Sequence, residues 1–101
     1  MKDNKDPTLP QLVCTAGVSH WMEGDESGAR EAWVEYILMR FLSSDWGDCD
    51  EHDTEVNNYA KRNGGRILGV YETPARLEGR KMYIILEADR SAITVLFTDE
   101  Y

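Results

Sequence analysis

Between Asp45 and Glu55 the chain sets six carboxylates, Asp45, Asp48, Asp50, Glu51, Asp53 and Glu55, around one thiol, Cys49, and one imidazole, His52. Such groups serve two chemistries, cation binding and acid-base or nucleophilic catalysis. A helix-loop-helix calcium site needs oxygen ligands at alternate positions, a glycine at the sixth and a bidentate Glu at the twelfth. Counted from Asp45 the sixth residue is Asp50, so that motif fails. His52 with Asp53 or Glu55 offers two ligands to a transition metal, but no second His stands four residues on, and His20 belongs to another segment. Cys49 lies between Asp48 and Asp50, whose charges oppose its thiolate and make it a poor nucleophile. No GxSxG elbow accompanies the serines, and Gly64-Gly65 precedes a strand pattern where a phosphate-cradling loop would precede a helix. His20, beside Trp21, reads as a partly buried packing residue. The expectation is a protein that is not an enzyme and needs no cofactor. Its acidic cluster then serves as helix caps plus a solvated face, or as a docking patch made of Asp45, Trp46, Asp48, Glu51 and Glu55.

The elements that must hold this cluster follow from hydrophobic periodicity. Residues 1–10 are polar, carry four charges and two prolines, and read as a disordered tail. Residues 11–101 form a single domain. Leu12 to Thr15 suits a brief edge strand or extended lead-in, and Val18, Trp21 and Met22 give one turn of helix. The main core helix spans about 29–43, with Trp33, Tyr36, Ile37, Arg40 and Phe41 on the 3.6-residue period and Val34, Leu38 and Leu42 widening the stripe. Ser27 or Gly28 caps it, and Ser43 to Asp48 ends it, with Gly47 able to take positive φ. A second main helix starts near Asp50 on a capping-box-like spacing to Asp53. Its apolar face is Val56, Tyr59 and Ala60, and Gly64-Gly65 stops it. Asn57-Asn58 is unfavourable inside a helix, which predicts that one of the two bonds the sheet or a turn.

From Arg66 onward the period changes to two. Residues 66–73, 81–87 and 92–98 are three strands with short links, expected to pair as an antiparallel meander. Ile93, Val95 and Phe97 should face Trp33, Ile37 and Phe41. Helices first and strands afterwards give an α+β fold: a small antiparallel sheet of three to four strands with two main helices on one face. In the hairpin tip Glu87 to Ser91, Arg90 is expected to fork to Glu87 or Asp89. Trp46 is either a plug between the helices or an exposed anchor for a partner.

Composition narrows the function. Nineteen acidic against eleven basic side chains give a net charge of −8 over 101 residues, which disfavours direct nucleic acid or an anionic membrane and favours a basic protein surface. Cys14 and Cys49 lie far apart with no CxxC spacing and are expected as free thiols. The polar start has no apolar stretch of signal or membrane length behind it, so a cytoplasmic location is expected.

Ser44-Asp45-Trp46-Gly47-Asp48, the acidic stretch with Asn57, Gly64-Gly65-Arg66-Ile67-Leu68 with Tyr71, Leu86 to Ser91, Thr94-Val95-Leu96 and Glu100-Tyr101 together resemble a family of small bacterial proteins labelled plasmid-related. The likeness covers about residues 43–101 and implies a plasmid, phage or other mobile-element setting rather than an activity. With the charge it leads to one expectation: an acidic interaction protein that inhibits a host defence nuclease or effector complex, of anti-CRISPR or anti-restriction type, by occupying a basic groove. The alternative is a metal-dependent accessory factor or small enzyme using the Asp45–Glu55 cluster.

Overall fold

The computed structural model describes residues 9–101; the expected tail lies outside them apart from Leu9 and Pro10. Three helices follow a first short strand: α1 (Ala16–Glu23), α2 (Ala29–Leu42) and α3 (Glu51–Asn63). Each begins where a side-chain oxygen meets an amide that the first helical turn leaves without a partner. Thr15 Oγ1 accepts from the Val18 amide at 3.3 Å, and Asp50 Oδ1 accepts from the Asp53 amide at 2.8 Å. For α2 the flanking residue Gly28 supplies no side chain. Ser27 Oγ accepts from the Ala29 amide instead, and Asp25 Oδ2 from the Arg30 amide. The Ser27 hydroxyl and then the Arg30 amide hold the Asp25 carboxyl below the usual carboxylate range.

The strands β1 (Gln11–Cys14), β2 (Ile67–Glu72), β3 (Lys81–Leu86) and β4 (Ala92–Phe97) lie in the order β1-β4-β3-β2. β2, β3 and β4 form the expected antiparallel meander, but β1 runs parallel to β4. The fold is therefore α+β with a mixed sheet, which corrects the antiparallel expectation. Short links dictate antiparallel pairing only between strands that are neighbours in sequence. β1 reaches β4 after the whole helical half, so no turn length constrains its direction.

The strand phase is as expected. Ile67 and Tyr71, Met82 and Ile84, and Ile93, Val95 and Phe97 point to one face, where they join Val18, Trp21, Val34, Ile37 and Phe41 in the core. Phe97 meets the edge of Trp21, with centroids 5.6 Å apart, and the Arg80 guanidinium lies over its ring. Trp33, expected opposite β4, is only partly buried at the margin of this cluster. Trp21 is itself held at both ends: its indole N–H donates to Glu78 at 2.9 Å, and Arg30 lies over the ring, donating to the Trp21 carbonyl and pairing with Glu78.

Several side chains sit elsewhere than their period suggested. Tyr36, Val56 and Tyr59 are exposed, and His20 faces solvent at the last turn of α1. α3 buries only Asn57 and Ala60, because it lies along the free edge of β2 and a helix there covers the core with a narrow face. Arg90, with φ of 63°, does not fork to a carboxylate. Its guanidinium donates to the carbonyls of Ala60 at 2.9 Å and Gly65 at 2.6 Å, fastening the C-terminal end of α3 to the β3–β4 turn. A cation there also meets the negative end of the helix dipole. Asp89 is engaged locally, accepting from the Ser91 amide.

Candidate functional site

The acidic cluster occupies the linker from α2 to α3 and the first turns of α3. α2 ends in a Schellman-type stop: the Asp45 amide donates to the Arg40 carbonyl, the Ser44 amide to Phe41, and Ser44 takes φ of 65°. The positive-φ residue of the helix stop is thus Ser44, while Gly47 takes φ of 74° for a different purpose. There the linker pairs with the edge of β2: the Val70 amide donates to the Trp46 carbonyl at 3.0 Å and the Asp48 amide to the Val70 carbonyl at 2.7 Å. A Cβ on Gly47 would stand 1.9 Å from the Val70 oxygen, so only glycine allows this approach.

One residue pair further along the same edge, a side chain replaces backbone. Asn57 Nδ2 donates to the Leu68 carbonyl at 2.8 Å, and the Leu68 amide donates to Asn57 Oδ1 at 3.2 Å. The carboxamide thus satisfies both groups that a missing strand would have met. Asn58 Oδ1 accepts from the Trp46 indole N–H at 2.9 Å. Both asparagines are therefore in use, where the sequence predicted one.

These contacts divide the five candidate docking residues. Trp46 is 5% exposed and packs edge-on against Phe41, so it is the plug and not a partner anchor, which corrects its place in the docking patch. Asp45 is exposed but committed: Arg40 Nε and Nη2 reach its two carboxylate oxygens at 2.8 and 3.2 Å, and its carbonyl accepts from the Tyr71 hydroxyl at 2.7 Å. Arg40, then the Gly47 amide, hold its carboxyl below the usual range, while burial, then Asp45, push the Tyr71 phenol above its own. Asp48, Glu51 and Glu55 have exposed side chains and join no ion pair among the described residues. Glu51 and Glu55 start an i, i+4 row that continues to Tyr59, 62% exposed, beside Val56, 48% exposed. Periodicity missed these two as surface residues because it assigned the stripe of α3 by hydrophobicity, whereas the buried side is led by a polar residue, Asn57.

Cys49 Sγ lies 3.4 Å from the Leu68 carbonyl, and burial raises its pKa first, with Asp53 and Asp50 adding to the rise. His52 is exposed on α3. Among the described residues no three His, Cys, Asp or Glu side chains stand close enough to hold a metal ion, and no helix is long and apolar enough to cross a membrane. No protein-family model, curated protein or solved structure matches this chain.

Proposed function

We propose that the protein is an interaction factor that presents the outward face of α3 to a basic protein surface. The observation that carries this reading is the division of labour on α3. The fold uses Asn57, Asn58 and Ala60, and leaves Glu51, Glu55, Val56 and Tyr59 outward on a helix fastened at both ends, by Asp50 and by Arg90. Carboxylates around an exposed aromatic and an aliphatic side chain combine steering charge with an apolar anchor. The net charge of −8 suits a partner whose groove is built to hold phosphates, and occupation of that groove would inhibit it. In the mobile-element setting proposed from the residue pattern of 43–101, a host defence nuclease or effector complex is the fitting target.

The test is capture from bacterial lysate by immobilised wild type, by Glu51→Lys with Glu55→Lys, and by Tyr59→Ala, read by mass spectrometry. Wild type should retain a basic nucleic-acid-handling protein that the charge reversal loses and Tyr59→Ala retains weakly. Identical capture by all three would remove α3 from the binding surface.

A further inference from the structure

The two edges of the sheet are finished differently. On β2 the outward groups of Leu68 and Val70 are met by Asn57 and by the Trp46–Asp48 segment. On β1 they are open. A strand in a parallel pair turns only alternate residues toward its neighbour. Gln11 and Thr15 do so, donating to the carbonyls of Ser91 and Val95, so Val13 does too, and the amides and carbonyls of Leu12 and Cys14 point away from β4. Among the described residues none meets them. An unprotected edge is a template for a further strand.

The surface beside this edge is largely apolar, with a carboxylate at its end, where Glu100 accepts from Thr15 Oγ1 at 2.9 Å. Leu9, Leu12 and Val13 are 65%, 56% and 38% exposed, and Met39 and Leu42 on α2 are 69% and 68% exposed. A groove between β1 and α2 is lined by Leu9, Pro10, Leu12, Leu38, Leu42 and Ile93. Residues 9–22 contain no Asp, Glu, Lys or Arg, in a chain where 30% of residues are charged.

We propose that this edge binds a second copy of the chain, β1 against β1 in antiparallel sense across a two-fold axis at Val13, joining the two four-stranded sheets into one. Two features favour a second copy as the occupant. The open groups lie two residues apart, so a two-fold at Val13 sets Leu12 of each copy opposite Cys14 of the other. Both are then hydrogen-bonded pairs, with Val13 facing Val13 between them as a non-hydrogen-bonded pair. Charge is the second: two copies at −8 repel over their acidic faces, α3 included, whereas the strand that would pair, Gln11–Cys14, carries no charged side chain. The pairing does not rest on the role given to α3, which lies at the other edge of the sheet.

Sedimentation equilibrium of the full chain across protein concentration and salt is the first measurement. The expected result is a reversible dimer that tightens as salt rises, because screening weakens repulsion between like-charged copies; a monomer throughout would overturn the proposal. Leu12→Lys, at an exposed position, should keep the circular dichroism of the wild-type fold and weaken dimerisation by at least about tenfold. An unchanged dimer would place the interface elsewhere. Val13→Cys tests the register, since the Cα atoms of a non-hydrogen-bonded pair lie about 4.5 Å apart, within disulfide reach. Mild oxidation should give a dimer linked between the two copies of position 13, mapped by peptide mass spectrometry, and suppressed when Leu12→Lys is added. A dimer lacking that link would contradict the two-fold at Val13.

Discussion

Replacing Asn57 by Ala tests the edge seal that holds α3 to the sheet. Asn57 is 4% exposed and bonds both backbone groups of Leu68, at 2.8 and 3.2 Å. Alanine leaves that amide without a partner and the carbonyl with only the weak Cys49 thiol donor, 3.4 Å away, and an unpartnered group costs about 1–3 kcal/mol when water cannot replace the bond. Leu68 is only partly buried, so water reaches some of the gap and the lower part of the range applies. The sum is about 2–3 kcal/mol, out of about 5–15 for a domain of this kind. At about 4–8 °C per kcal/mol for a chain near 100 residues, Tm should fall by about 10–20 °C. Amide exchange at Leu68 should accelerate more than at residues of β3. Asn57→Asp keeps the acceptor for the Leu68 amide but turns the donor into a carboxyl facing the Leu68 oxygen. Burial raises that carboxyl's pKa above its unfolded value, so the variant should lie nearest wild type in acid and lose stability as pH rises through the folded pKa. A Tm for Asn57→Ala within 2–3 °C of wild type, with unchanged exchange at Leu68, would show that Asn57 does not seal the edge.

Phe97→Ala, which removes a ring 2% exposed between Trp21 and Arg80, should cost about 3–5 kcal/mol in urea titration; a loss under about 1 kcal/mol would contradict its place in the core. Arg90→Ala should cost about 1.5–3 kcal/mol, since a charged donor leaves the carbonyls of Ala60 and Gly65, and Arg90→Lys should recover only part of it; equal stability of the three proteins would show that this clasp is idle. Asp25, Asp45 and Asp89 have folded-state pKa values below their ordinary ones, so their contributions are complete above the unfolded carboxylate pKa and disappear as pH falls through the folded values. Stability should therefore decline from about pH 5 downward, and Asp25→Asn with Asp45→Asn should flatten that decline in thermal melts; an unchanged slope would contradict it.

The parts of the fold that alternate or cap locally were legible in the sequence. Ile93, Val95 and Phe97 announce their face by a period of two, and Asp50 announces α3 through its spacing to Asp53. What escaped were contacts between distant segments. The parallel pairing of β1 with β4 leaves no local trace, because Gln11 and Ala92 are joined by no turn. The carboxamide of Asn57 stands in for a strand, so the most buried position of α3 looks polar, and Val56 and Tyr59 were drawn into the core by hydrophobicity alone. Arg90 has carboxylates one and three residues before it, at Asp89 and Glu87, but donates across to the carbonyls of Ala60 and Gly65, a choice set by the end of a helix thirty positions away. Of the candidate docking residues, Asp48, Glu51 and Glu55 keep their place at the surface, while Trp46 and Asp45 are taken up by the linker itself.

The central claim, that the outward face of α3 binds a basic surface, is tested most directly by the association rate of the captured partner with wild type and with the variant carrying both Glu51→Lys and Glu55→Lys, from low to high salt. Exposed charges act within a Debye length of about 8–10 Å at ordinary ionic strength. The wild-type rate should therefore fall steeply with salt, and the reversed variant should associate much more slowly at low salt and approach wild type at high salt. Equal rates for the two proteins at low salt would contradict the account and leave the acidity of α3 as a property of a solvated helix.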